Sequence, residues 1–69
     1  MRSISWKEFA KIIEQHGWIL LRISDSHHID GKPGSIVRLS VPIHGNDPLK
    51  VGLLKHLLKM AGLEEFDIK

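Results

Sequence analysis

Two adjacent histidines near the middle of the chain are the residues best suited to acid–base chemistry. They stand in the run Ser26-His27-His28-Ile29-Asp30, just before the turn-like residues 31–34. Histidine has an unperturbed pKa of about 6.5, so it can accept or donate a proton near neutral pH. Because neighbouring residues on a strand point to opposite faces, His27 and His28 are expected to face opposite ways.

Three roles compete for this histidine pair: packing in the core, metal binding and catalysis. His27 shares strand parity with Ile29, so it faces the core if Ile29 does, unless a bulge resets the alternation. A metal site is disfavoured, since the two rings diverge and no carboxylate-rich cluster converges on them. The chain has no cysteine, which excludes disulfides and cysteine-based zinc sites. We therefore expect no metal and no other cofactor.

Composition and charge restrict the class of protein. The 69 residues allow one domain, residues 1–69, with a thin core. The net charge is +2, but residues 1–63 hold nine basic against five acidic side chains. That balance is compatible with an anionic partner such as nucleic acid, and also with ordinary solubility. Neither an apolar run of about 18 residues nor a signal-peptide layout is present, so a cytoplasmic protein is expected.

Helical periodicity is found at both ends of the chain. Ser5 and Glu8 have capping-box spacing, and a buried stripe at three- and four-residue steps follows until Gly17. A second helix is predicted over residues 51–61, ended by Gly62.

Three strands are predicted between these helices, over residues 18–23, 26–30 and 35–41. Short turns join them, which predicts an antiparallel meander. The expected fold class is therefore α+β in the order α-β-β-β-α, with both helices on one face of a three-stranded sheet. The other face is left open, and function is expected there.

An ordered set of short motifs runs along roughly residues 12 to 63. The motifs are G17-W18, R22, S26-H27-H28, V41-P42-I43-H44-G45, L49-K50-x-G52-x-L54 and A61-G62-L63. Taken together, rather than one by one, these motifs resemble those of a known family, the HicA toxins of bacterial toxin–antitoxin pairs.

The resemblance implies a double-stranded-RNA-binding-domain-like fold and an endoribonuclease that cleaves mRNA without ribosomes and without a metal. It also implies a HicB-like antitoxin as partner, with the toxin a monomer alone and part of a hetero-oligomer with the antitoxin. By position, His27 matches the family's catalytic histidine, with Ser26 and His28 as possible support. Arg22, Arg38 and Lys50 are candidates to hold single-stranded RNA through its phosphates.

Two positions depart from the family pattern. The usual glycine before Ser-His is Asp25 here, and the threonine usual after the second helix's glycine is Leu53. A carboxylate at position 25 could repel RNA phosphates, or it could support an imidazolium. The alternative function is therefore a non-catalytic RNA-binding or partner-binding domain, a toxin inactivated by Asp25.

Overall fold

A computed structural model describes residues 3–43 and 47–68 of the chain. Their elements are helix α1 (Trp6–Gln15), strands β1 (Ile19–Ser24), β2 (His27–Gly31) and β3 (Arg38–Pro42), helix α2 (Val51–Ala61) and a 3-10 helix (Glu65–Ile68). The predicted α+β order α-β-β-β-α is confirmed, as is its likeness to double-stranded-RNA-binding domains.

Local sequence explains where α1 begins and ends. The hydroxyl of Ser5 accepts a hydrogen bond from the backbone N–H of Glu8 at 3.2 Å, which confirms the predicted N-terminal cap. At the other end Gly17 has a φ of +94°. The N–H of Trp18 then donates to the carbonyl of Ile13 at 3.0 Å, which is Schellman-type closure of the helix.

The sheet is an antiparallel meander in the order β1-β2-β3. A two-residue turn, Asp25-Ser26, joins the first two strands and places Ser24 opposite His27. An irregularity in β1 leaves Leu21 between the paired residues on either side of it. An extra residue of this kind bends a strand and increases its twist.

The start of β3 differs from the prediction, which placed it at residue 35 rather than Arg38. Ser35 forms a local turn instead. Its hydroxyl accepts a hydrogen bond from the N–H of Val37 at 3.1 Å, and its own N–H donates to the carbonyl of Lys32 at 3.0 Å. Serine competes with strand pairing in this way because its side chain can satisfy a nearby backbone group.

The pairing of β2 with β3 determines which face each β2 side chain occupies. His28 lies opposite Val41, and Asp30 lies opposite Leu39. Both of these β3 side chains are fully buried under the helices. His28 and Asp30 therefore face the helices, whereas His27 has the opposite parity.

The core lies between the helices and this face of the sheet. Both helices pack mainly on β3, and α1 contributes Phe9, which is 0% exposed. The buried apolar residues are Ile4, Phe9, Ile13, Trp18, Leu39, Val41, Leu49, Leu54, Leu57, Leu58, Ala61 and Ile68. The helix layer does not cover β1, whose side chains are exposed from Ile19 to Ile23.

Candidate active site

A cleft of about 470 Å³ lies at the end of the sheet where β2 begins and β3 ends, against the start of α2. Two of the predicted site residues, His27 and Lys50, line it together. The described residues around the cleft are His27, Pro42, Asp47, Pro48, Leu49, Lys50 and Leu53. The cleft thus combines a proton-transfer group with a cation.

His27 is exposed, and its backbone is held at the junction of two strands. It pairs with Ser24 on one side and with Pro42 on the other. The preceding carbonyl, that of Ser26, accepts a hydrogen bond from the N–H of Ile43 at 2.7 Å. The position of the imidazole is therefore fixed by the sheet while its ring remains accessible.

His27 was expected to face the core only if Ile29 does, because the two side chains lie on the same face of β2. Ile29 is half-buried and lies opposite Ser40, which is exposed on the face away from the helices. The condition under which His27 would face the core is therefore not met.

His28 has a different environment from its neighbour. Its ring meets the ring of Trp6 edge to face, with centroids 4.8 Å apart and planes at 72°. Aromatic pairs in this geometry contribute about 0.5–1.5 kcal/mol beyond their buried area. His28 is half-buried by this contact and joins β2 to the first turn of α1.

The N-terminus of α2 adds a site for an anion beside His27. Lys50 is the N-cap residue, and no side chain among the described residues caps the helix. The first turn holds no acidic residue, and a Cβ placed on Gly52 would meet nothing within 4 Å. An open helix N-terminus with a cation attracts phosphate, because its N–H groups and its dipole favour negative charge.

The other predicted RNA-binding residues lie away from the cleft. Arg22 lies opposite Ile29 in the neighbouring strand. Because Ile29 and His27 lie on the same face of the sheet, Arg22 lies on that face too. Arg38 is at the far end, where its guanidinium donates to the carbonyls of Val37 at 3.1 Å and Ser35 at 3.3 Å. The structure therefore groups Lys50 with His27 and separates Arg38 from them.

The backbone accounts for Asp25, the departure from the family glycine. Asp25 has a φ of +54°, the left-handed conformation, in the turn before β2. Glycine adopts this conformation most readily, and aspartate is among the few other residues that visit it. The structure thus gives position 25 a conformational role, and the side chain of Asp25 is exposed.

Replacing Asp25 with glycine is expected to change the free energy of unfolding by less than about 1 kcal/mol, since relief of strain offsets added chain entropy. The RNA cleavage that the family resemblance implies should change by less than about threefold, because a surface charge outside the cleft is screened by water and salt. Urea denaturation and a cleavage assay check both values. A gain in cleavage well above tenfold would show instead that the carboxylate had inactivated the site.

Asp47 was not singled out by the sequence, yet it provides an acidic group among the residues that line the cleft. The sequence evidence for a functional role of Asp47 was weak, since an aspartate before Pro48 is also typical of a loop. His44, interpreted as a turn-bonding loop residue, and Gly45, interpreted as a turn glycine, lie outside the described residues.

Within residues 3–43 and 47–68, two buried polar atoms have no hydrogen-bond partner, Trp18 Nε1 and Asp30 Oδ1. Asp30 is 1% exposed. Burial raises the pKa of its carboxyl above the ordinary 3.8, an effect that the charge of His28 opposes and that of Glu14 reinforces. A buried carboxylate without a full set of partners is costly to the fold.

Stability is expected to fall with rising pH because of Asp30. Between pH 3.8 and its raised folded pKa, the folded state binds more protons than the unfolded state, so the free energy of unfolding decreases as pH rises. Asp30→Asn removes this loss, and we expect a gain of about 1 kcal/mol at pH 7. Urea denaturation at pH 4 and pH 7 measures it, with the exposed Asp25→Asn as control. A gain that is the same at both pH values would contradict this account.

Within residues 3–43 and 47–68, no group of three or more histidine, cysteine, aspartate or glutamate side chains is placed to hold a metal ion. In the same part of the chain, no helix has both the length and the apolar character needed to cross a membrane.

One comparison with known proteins gave a match to this chain. The sequence model of one protein family, described as HicA toxin of bacterial toxin-antitoxin, matches residues 6–63, which is most of the chain. No curated protein matches the sequence at the significance required. The family match includes the histidine pair, the turn before it and the start of α2. The chain therefore belongs to the HicA toxin family of bacterial toxin–antitoxin systems.

Proposed function

We propose that this toxin is a metal-independent endoribonuclease that cleaves mRNA and thereby arrests translation and growth. The observation that carries the proposal is the cleft in which the exposed His27 lies with Lys50 at the open N-terminus of α2. Family membership supports an RNase toxin, and the cleft supplies the groups that such a reaction needs.

RNA provides its own nucleophile, the 2′-hydroxyl, so the protein has to move a proton and stabilise charge. The imidazole of His27 takes the proton of the 2′-hydroxyl as the oxygen attacks the adjacent phosphorus. The bond from phosphorus to the 5′-oxygen breaks, and the imidazolium returns the proton to that oxygen. The products are a 2′,3′-cyclic phosphate and a 5′-hydroxyl. General acid–base help of this kind contributes about 10²–10⁴-fold.

Charge on the phosphoryl group is stabilised at the start of α2. In this proposal the Lys50 ammonium and the first N–H groups of the helix bind the same phosphate, and the first turn holds no acidic residue that would oppose them. Arg22, next along the face from His27, contacts the phosphate of a neighbouring nucleotide. Arg38 takes a lesser part, because its guanidinium is bound to backbone carbonyls at the far end of the sheet.

In this proposal residues 1–69 act as one domain in the cytoplasm, without a cofactor. The toxin is a monomer alone and forms a hetero-oligomer with its HicB-like antitoxin. Ser26 and His28 act through the backbone and through packing rather than on the RNA, since Ser26 lies in the turn and His28 packs on Trp6.

Incubation of the purified protein with a long unstructured RNA in EDTA tests the proposal. Cleavage in EDTA supports a metal-independent nuclease. Binding of the RNA with a marked salt dependence but without cleavage would favour the non-catalytic RNA-binding domain instead. Absence of both binding and cleavage would contradict any direct action on RNA.

A further inference from the structure

Strand β1 is the least protected element of the fold. Its large apolar side chains are exposed on both faces, with values of 52% for Ile19, 40% for Leu20, 52% for Leu21 and 60% for Ile23. Within the described residues β1 has a strand neighbour on one side only. An exposed, apolar edge strand invites pairing with another chain, and contiguous apolar surface of this kind marks an interaction site.

A shallow pocket of about 310 Å³ adjoins the start of this strand. Leu21 forms part of its wall, close to the backbone of Gly31. The ionisable side chains around it are both cationic, Lys32 and Arg38. The described residues that line the pocket are Ile19, Leu21, Gly31, Lys32, Pro33, Gly34, Ser35 and Arg38. Together β1 and this pocket form what we call the β1 surface.

The chemistry of the β1 surface favours one kind of partner. RNA bases stack on aromatic rings, whereas the exposed side chains of β1 are aliphatic. A second copy of this chain would present the same three cations, Arg22, Lys32 and Arg38, and two surfaces of like charge repel each other. An extended protein segment with apolar and acidic side chains matches both the edge and its charge.

We propose that the β1 surface docks an extended acidic segment of the antitoxin, which adds to the sheet as a fourth strand beside β1. The backbone N–H and C=O groups on the outer edge of β1 pair with that segment. Its alternate apolar side chains cover Leu21 and its neighbours, and a carboxylate enters the pocket between Lys32 and Arg38. This inference rests on the proposed function, because it assumes that the chain is a toxin held by its antitoxin.

The pocket of the β1 surface lies away from the cleft. The pocket lies where Ile19 pairs with Gly31, whereas His27 pairs with Ser24 at the other end of β1. Five residues of strand span about 16 Å. Substitutions of Leu21 and Lys32, which have no part in the proposed reaction, should therefore weaken the antitoxin complex without changing RNA cleavage.

The test compares Leu21→Glu with Met60→Glu, a matched control in which the same charge enters an exposed position of α2. The probe is a purified HicB-like antitoxin, titrated calorimetrically into the 69-residue toxin. We expect Leu21→Glu to weaken binding about tenfold or more and Met60→Glu to leave it unchanged. Lys32→Glu should weaken it about threefold or more, since it removes one partner of the carboxylate.

RNA cleavage by the same variants, measured without antitoxin, distinguishes failure of the β1 proposal from failure of the proposed nuclease function. The parent's cleavage tests the proposed function by itself. Antitoxin affinity that is equal for Leu21→Glu and the parent would overturn the β1 proposal while leaving the nuclease intact. Reduced cleavage by Leu21→Glu, with circular dichroism unchanged, would assign the surface to RNA instead. A parent dimer that Leu21→Glu dissociates would assign it to a second copy and also overturn the proposal.

Discussion

Replacing His27 with alanine is expected to lower the rate of RNA cleavage by about 10²–10⁴-fold and to abolish growth arrest. The imidazole is the exposed proton-transfer group that lines the cleft. Because His27 is exposed, we expect the free energy of unfolding to change by less than about 0.5 kcal/mol.

His28→Ala is the matched control, since it removes an adjacent ring with a different environment. It should retain cleavage within about tenfold but lose about 1 kcal/mol of stability, because the contact with Trp6 is lost. Initial rates on an unstructured RNA and urea denaturation give both quantities for each variant. If His27→Ala cleaved at the parent's rate while His28→Ala did not, the catalytic role would belong to His28.

Replacing Phe9 with alanine is expected to leave most of the protein unfolded at 37 °C. Phe9 is 0% exposed and lies on the face of α1 that packs against β3. Truncating a buried phenylalanine costs about 3–5 kcal/mol. A domain of this length has a total stability of only about 3–10 kcal/mol, so little remains.

The chain contains one other phenylalanine, which makes the control simple. Phe66 is 61% exposed in the 3-10 helix, and Phe66→Ala should change the free energy of unfolding by less than about 1 kcal/mol. Thermal unfolding followed by circular dichroism compares the two variants. Equal loss of stability in both would mean that the C-terminal turn contributes to the core as much as α1 does.

Local patterns were enough to predict the fold. Ser5, Gly17 and Gly62 mark helix ends through their own backbone and side-chain chemistry, and these signals act within a few residues. In β3, the buried Leu39 and Val41 alternate with exposed residues. This alternation predicted which face of β3 packs against the helices. The start of β3 was wrong because Ser35 closes a turn by itself.

The candidate site was harder to predict, because its parts come from distant segments. The grouping of His27 with Lys50 depends on how α2 packs beside the end of the sheet, which periodicity does not encode. The orientation of His27 depends on the register between β2 and β3, and a shift of one residue would turn it around. The exposure of β1 was also unpredicted, since its residues are apolar enough for a buried strand.

Product analysis of RNA cleaved in EDTA tests the central claim most directly, which is that His27 activates the RNA's own 2′-hydroxyl without a metal. Parent protein and His27→Ala are incubated with the same end-labelled, unstructured RNA, and the termini of the fragments are identified. The account predicts 2′,3′-cyclic phosphate and 5′-hydroxyl ends from the parent and almost no fragments from the variant. Fragments with 5′-phosphate ends, or equal cleavage by His27→Ala, would contradict it.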